Sequence, residues 1–405
     1  MSGLKLRAAA AAAIVLAGMT ISPATAATEP PRPAFYEAPA NLPAGNGTVI
    51  RSEALSYLLD PAQANQVAFN SQRVLYTSTN RTGKRIAVSG TVMVPKSPWV
   101  GLGRRPVIGY AVGTQGMADK CAPSRQFSDG LEYEGLFIQG LLMRGYAIAM
   151  TDYEGLGTAG IHTYMDRVSQ GRAVLDMVRA AEKLSGTGLS SLSPVGIQGY
   201  SQGGGAAAAA VELASTYAPD LKVKGASVGA VPADLLAVAK NLDGSMYAEF
   251  LFYATRGLSE SYGINAKDAF NDAGDAVIDG VEGHCVFDLF SNSGKKFVDL
   301  TNSGQSAGQI YSQAPYTSIV QGQRLGDIKP TVPVLVTHSA LDDVIPYAVG
   351  KAMAKRWCAK GANVYFSTNL NPTHLGGMLS TSTEMYAFFE ARFAGVPQWS
   401  NCWTL

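Results

Sequence analysis

The sequence predicts an α/β fold: a mostly parallel sheet covered by helices and interrupted by a helical insertion. Three observations predict it. Short apolar runs alternate with helix-patterned segments through the first half of the chain. The alternation then lapses for about a hundred residues, far more than an ordinary connection needs. Finally, one more strand, helix and strand precede a closing helix. Buried strands alternating with helices argue for a parallel sheet covered on both faces.

Along the chain, Ala34 to Asn65 is rich in Pro, Ala and Gly with weak periodicity, and reads as an arm lying on the core. Gln72 to Ser78 and Arg85 to Val94 are rich in Val, Tyr, Ile and Thr. Asn80-Arg81-Thr82-Gly83 between them reads as a hairpin turn. Pro106 to Val112, Tyr146 to Met150, Pro194 to Tyr200 and Lys222 to Val231 read as further strands. Helices are expected over Leu131 to Met143 and Val168 to Leu184, and after Tyr200. From Ala233 to about Lys329 no convincing strand occurs, and Ser245 to Ser261 carries apolar residues at helical spacing. Val334 to Thr337 restarts the strand pattern. Ala348 to Cys358 (helix), Val364 to Ser367 (strand) and Glu384 to Phe393 (helix) complete it.

The chain opens with Lys5 and Arg7, an apolar stretch from Ala8 to Ile21, and the small residues Ala24-Thr25-Ala26, the pattern of an export signal. At about 14 residues the apolar run is too short for the ~20 that span a bilayer, so no transmembrane anchor is expected. Cleavage after Ala26 takes two from the 32 basic residues, leaving 30 against 31 acidic ones. No basic cluster is present to neutralise a phosphate backbone, so nucleic acid is not an expected partner. Cys121, Cys285, Cys358 and Cys402 give an even count in an exported chain, which reads as two disulfides of open pairing. No C-x-x-C occurs, so a zinc site is not expected.

G-x-S-x-G occurs three times among 44 glycines, centred on Ser201, Ser227 and Ser306. The nucleophile elbow of the α/β-hydrolase fold demands a buried strand, a tight turn holding the serine, and then a helix. Only Ser201 meets all three: Val195 to Tyr200 precedes it, and Gly203-Gly204-Gly205 and Ala206 to Ala210 follow. Ser227 is followed by Ala230-Val231-Pro232, and Ser306 has no strand before it. Both read as ordinary serines.

A serine needs a base, and the base an acid to orient it. In this fold the chain order is Ser, then Asp or Glu, then His. His338 to Pro346 resembles the H-G-x-x-D-x-x-V-P stretch of α/β hydrolases, with Ser339 where glycine is usual. The match places the acid at Asp342, with Asp343 as the alternative, and makes His338 structural. His374, in Pro372-Thr373-His374-Leu375-Gly376-Gly377, is read as the base in a loop before the closing helix. His162 and His284 come too early in the order and read as structural or exposed. The oxyanion donors are expected to be the backbone N–H of Gln202 and one from the Gly113-Thr114-Gln115-Gly116 loop, with Thr114 and Gln115 the candidates.

The chain resembles the secretory lipase family from about Ala34 to Leu405. The residues that carry the resemblance are Asp119-Lys120-Cys121-Ala122-Pro123-Ser124, Gly199 to Gly204, the long helical insertion, Val334 to Pro346, and Pro372 to Gly376. It implies an esterase or lipase acting on acylglycerols, a lid over the acyl pocket, and disulfides Cys121–Cys285 and Cys358–Cys402. The expected organisation is a signal peptide (1–26), an arm (27–65), an α/β-hydrolase core (66–232 and 330–405) and a helical lid (233–329). The expected protein is a secreted monomer acting on ester lipid without cofactor or metal. The rivals are a peptidase or acyltransferase of the same fold and a non-catalytic lipid-binding relative, because fold does not fix function.

Overall fold

Nine strands form one sheet in the order β1-β2-β3-β5-β4-β6-β7-β8-β9. They are β1 (Val49–Ala54), β2 (Phe69–Thr79), β3 (Arg85–Pro95), β4 (Val107–Ala111), β5 (Ala147–Thr151), β6 (Pro194–Tyr200), β7 (Lys222–Gly229), β8 (Val334–Ser339) and β9 (Val364–Asn369). The structure, a computed structural model, describes residues 31–55 and 68–405. The expected signal sequence, and the boundary between arm and core, lie outside these residues.

The first three strands are antiparallel, and β3 joins β5 antiparallel. Every later pairing is parallel. The β2–β3 turn is held by Asn80, whose side-chain oxygen accepts the N–H groups of Thr82 and Lys84. Strands β4 and β5 are buried along their whole length, as strands covered on both faces must be.

Twelve helices are described: α1 (Pro123–Asp129), α2 (Gly135–Met143), α3 (Arg167–Lys183), α4 (Gln202–Tyr217), α5 (Leu235–Leu242), α6 (Ala248–Tyr262), α7 (Asp272–Val281), α8 (Phe297–Leu300), α9 (Ala307–Ile310), α10 (Tyr316–Gly322), α11 (Tyr347–Ala359) and α12 (Thr373–Phe393). Helices α3 and α4 pack on each other and on the sheet, and α2 packs with α12. Asp166 caps α3 by accepting from Val168 N and Ser169 N. The alanines Ala206 to Ala210 are buried and let α4 lie close on β6 and β7. Between β7 and β8 the chain passes through α5 to α10 with no strand among the described residues.

Three expectations need correction. The arm is not free of regular structure: Val49–Ala54 pairs with β2 as an edge strand. Its polar sequence, with Arg51, Ser52 and Glu53, suits an edge open to water on one side, and hides the strand from a search for apolar runs. The helix expected from Leu131 starts only at Gly135, because Glu132, Tyr133 and Glu134 turn inward instead; α1 precedes it. The closing helix begins at Thr373 rather than near Glu384, which moves His374 from a loop into a first helical turn. Gly376 and Gly377 disguise that turn, since glycine disfavours helix interiors by about 1 kcal/mol.

Candidate active site

The parallel strands end together, and the chain is strained just beyond them. Ser201 and Ala230 follow β6 and β7 directly, with φ of 60° and 42°, and Tyr153, two residues past β5, has φ 73°. Thr373, beyond β9, has φ 66°. Non-glycine residues held there cost roughly 1–3 kcal/mol each, and such strain clusters at functional sites.

Ser201 sits on the turn from β6 to α4, with its N–H bonded to Gly229 O at 3.0 Å. A Cβ on Gly199 would stand 2.0 Å from Gly203 O, and one on Gly203 would stand 2.1 Å from Ala111 O. Both glycines of the motif are therefore required by close backbone approach. Ser227 lies buried on β7, and Ser306 caps α9 by accepting from Gln309 N.

His374 Nδ1 lies 2.8 Å from Asp342 Oδ2. Asp342 Oδ1 accepts the N–H groups of Val344 and Ile345 at 3.0 and 2.8 Å. Burial pushes the Asp342 carboxyl up, but hydrogen bonding from His338 and His374 outweighs it and holds the group well below the usual carboxylate range. The neighbouring Asp343 does something different: its Oδ1 accepts the backbone N–H of His374 at 2.8 Å, capping the helix that carries it. Tyr200 Oη donates to His374 O at 2.8 Å. His338 is fully buried, with Nε2 3.0 Å from Ile345 O, so it braces the turn.

Ser201, His374, Gly113 and Thr114 line one cavity of about 360 Å³ together with Tyr200, Tyr247 and Phe250. A second, narrower slot of about 40 Å³ runs from Ser201 between α5 and α6, with an almost wholly apolar lining that includes Ala239, Leu251, Ala254 and Leu258. Gln202 begins α4, so its N–H has no acceptor within the helix. Thr114 faces the cavity; Gln115 does not line it, and its carbonyl accepts from Val286 N at 2.7 Å.

The arrangement is that of a serine, an imidazole and a buried carboxylate at the carboxyl edge of a sheet. The model of the secretory lipase family matches residues 125–401. The chain belongs to the secretory lipase family. It is 27% identical over 388 residues to a secreted triacylglycerol lipase of Malassezia globosa, covering 91% of this chain and 80% of that one. It is 30% identical over 380 residues to a Mycobacterium tuberculosis protein named as a probable inactive lipase, covering 90% and 82%. In structure it superimposes on Candida antarctica lipase A with a TM-score of 0.80 at 24% identity, covering 91% of this chain and 87% of that one. At that identity the likeness shows the fold, an α/β hydrolase.

Around the site of this secretory lipase, further contacts brace the chain. Cys121–Cys285 and Cys358–Cys402 are the two bridges formed, the pairing the family resemblance implies. The first fastens the loop after β4 to the helical segment, beside the contact of Gly116 with Cys285. His162 is fully buried, its Nδ1 2.9 Å from Glu154 O and its Nε2 3.1 Å from the Gln202 side-chain amide. Burial pushes this imidazole down to about 4, so at neutral pH it accepts from Gln202 uncharged. His284 instead pairs with Glu249 at 2.7 Å. Glu134 is buried beside the cavity with the half-buried Glu132 near it, and no motif announced them. Only the chemical oddity of Glu-Tyr-Glu before an apolar helix could have drawn attention.

Proposed function

We propose that this secretory lipase is a secreted carboxyl-ester hydrolase acting on acylglycerols, with Ser201 as nucleophile, His374 as base and Asp342 as its orienting acid. The observation that carries the reading is the His374–Asp342 contact of 2.8 Å in the same cavity as the strained Ser201. The carboxylate fixes the Nδ1–H tautomer, which leaves Nε2 to take the serine proton. The serine oxygen attacks the ester carbonyl, and the oxyanion is received by the N–H groups of Gln202 and Thr114. The protonated imidazole gives its proton to the departing alcohol. Water, deprotonated by the same imidazole, then releases the acid and restores Ser201.

The helical segment from α5 to α10 acts as the lid, and the slot beneath it receives the acyl chain. At about 40 Å³ the slot is nearly shut, so α5 and α6 must part for a long chain. Phe287 and Leu375 line the larger cavity yet stay 62% and 64% exposed, an apolar mouth suited to a lipid–water interface.

Purified mature protein, assayed on p-nitrophenyl esters from acetate to palmitate beside Ser201→Ala, tests the reading. Activity that persists with long chains and vanishes in the variant supports it. A folded protein that hydrolyses no ester, or a Ser201→Ala variant that still does, overturns it.

A further inference from the structure

Beside Ser201 lies a group the mechanism above does not use. Glu132, Tyr133 and Glu134 meet the oxyanion loop residue for residue. Glu134 Oε1 accepts the Gly113 N–H at 2.6 Å, while Oε2 accepts from Tyr110 Oη at 2.5 Å. Tyr133 Oη donates to Thr114 O at 3.1 Å. Glu132 Oε1 accepts from the Gln115 side-chain amide at 3.3 Å and from Glu134 N at 3.1 Å. Three consecutive residues thus clamp three consecutive residues. A Cβ on Gly113 would stand 2.6 Å from Tyr133 Oη and 2.7 Å from Glu134 Oε1, so only glycine allows the clamp to close.

The clamp is costly to keep. Glu134 is 1% exposed, and burial pushes its carboxyl up to about 7 against the hydrogen bonds of Tyr110, Gly113 and Tyr133. Glu132 is likewise pushed up by burial and by the neighbouring Glu134, and its Oε2 has no partner among the described residues. Burying carboxylates side by side opposes folding. The bonds fix both neighbours of the Thr114 N–H: the peptide nitrogen before it through Glu134, and its own carbonyl through Tyr133. Thr114 itself lines the cavity beside Ser201.

We propose that Glu134 is a positioning residue for the reaction, setting the Thr114 N–H toward the oxygen that turns negative when Ser201 attacks. The inference rests on the ester-hydrolase reading above. It predicts an effect on the transition state, where the charge develops, and little on substrate binding.

The test uses the full mature protein with p-nitrophenyl butyrate, comparing kcat, KM and thermal midpoint for wild type, Glu134→Leu, Glu134→Gln, Tyr133→Phe and Ser201→Ala. Loss of one oxyanion donor costs roughly 100-fold or more in kcat, so Glu134→Leu should fall by about that factor with KM held within about threefold. Glu134→Gln keeps an oxygen that can accept the Gly113 N–H, and should recover at least about tenfold of the loss. Tyr133→Phe should lower kcat at unchanged KM. A folded Glu134→Leu with near wild-type kcat, or a Gln variant no better than Leu, overturns the proposal. If Glu134→Leu does not fold, Tyr133→Phe decides, and a wild-type kcat there overturns it. Turnover retained in Ser201→Ala would instead sink the reading beneath it.

Discussion

The sheet edge and the helical segment contribute to the same cavity in opposite ways. At the sheet edge the imidazole of His374 and the carboxylate of Asp342 are held by several polar bonds. His374 is fixed through its ring, its N–H and its carbonyl, and Asp342 through two backbone N–H groups besides. The helices α5 and α6 offer Leu235, Val238, Ala239, Leu251, Ala254 and Leu258, which carry no directional bonds. The difference separates two tasks. Charge that develops in a reaction needs donors fixed in advance, whereas an apolar chain needs only dry, adjustable surface. Damage at the edge should therefore strike turnover on every substrate, and damage in the helices should strike the choice among substrates.

The largest break in that comparison should come from Asp342→Asn. The amide keeps the shape but loses the charge and offers the wrong tautomer partner, a change worth up to about 10⁴-fold in kcat in a Ser-His-Asp site. Asp343→Asn is the control, because an amide oxygen can still accept the His374 N–H. It should cost about tenfold or less, as a helix cap does. Steady-state kinetics on butyrate and palmitate esters, with equal losses for the two chain lengths, would fit the division of tasks. Equal losses for the two aspartates would show that the acid has been misassigned.

That pair also marks how far the sequence could be read. Chain order and the strand before it selected Ser201, and the pattern after β8 preferred Asp342 over Asp343, because both signals are local. What Asp343 does was not legible, since it caps a helix whose start lies 30 residues onward and is masked by Gly376 and Gly377. Thr114 and Gln115 could not be separated either: the choice depends on Val286, which reaches the loop from the helical segment. Glu134 was missed because its partners Tyr110 and Gly113 lie on β4 and just after it, whereas His162 was read as structural or exposed and is structural, its contact with Gln202 being made only in the fold. The edge strand β1 was missed because half its side chains face water.

His162 sharpens the comparison on the side of the sheet edge. Its imidazole is held near 4 in the folded chain against 6.5 when free, so between those values the unfolded chain binds a proton that the folded chain refuses. Stability from this group is present above pH 6.5 and is lost as pH falls through 4, by about 3 kcal/mol in all. Denaturant unfolding of wild type and His162→Gln at pH 7 and pH 4 should show that much less acid sensitivity in the variant. Parallel pH dependence would mean that the ring is protonated in the fold and does not accept from Gln202.

The smallest effect should come from the helices. Ala254 on α6 is half-buried and lines the slot from Ser201. Phenylalanine there adds bulk where the wall is already close, and a site of about 40 Å³ has no slack to absorb it. A short acyl group ends before the added ring matters, whereas a long one must force α5 and α6 further apart. Steric discrimination in an apolar pocket is worth roughly 1–3 kcal/mol, so the ratio of palmitate to butyrate turnover should fall by about tenfold in Ala254→Phe. Both substrates losing activity together would mean that α6 also holds the sheet edge in register, through the Tyr253 Oη bond to Cys285 O at 3.0 Å and the bridge to Cys121. Chemistry and selectivity would then be coupled across the disulfide, and the comparison would fail at that cross-link between the two regions.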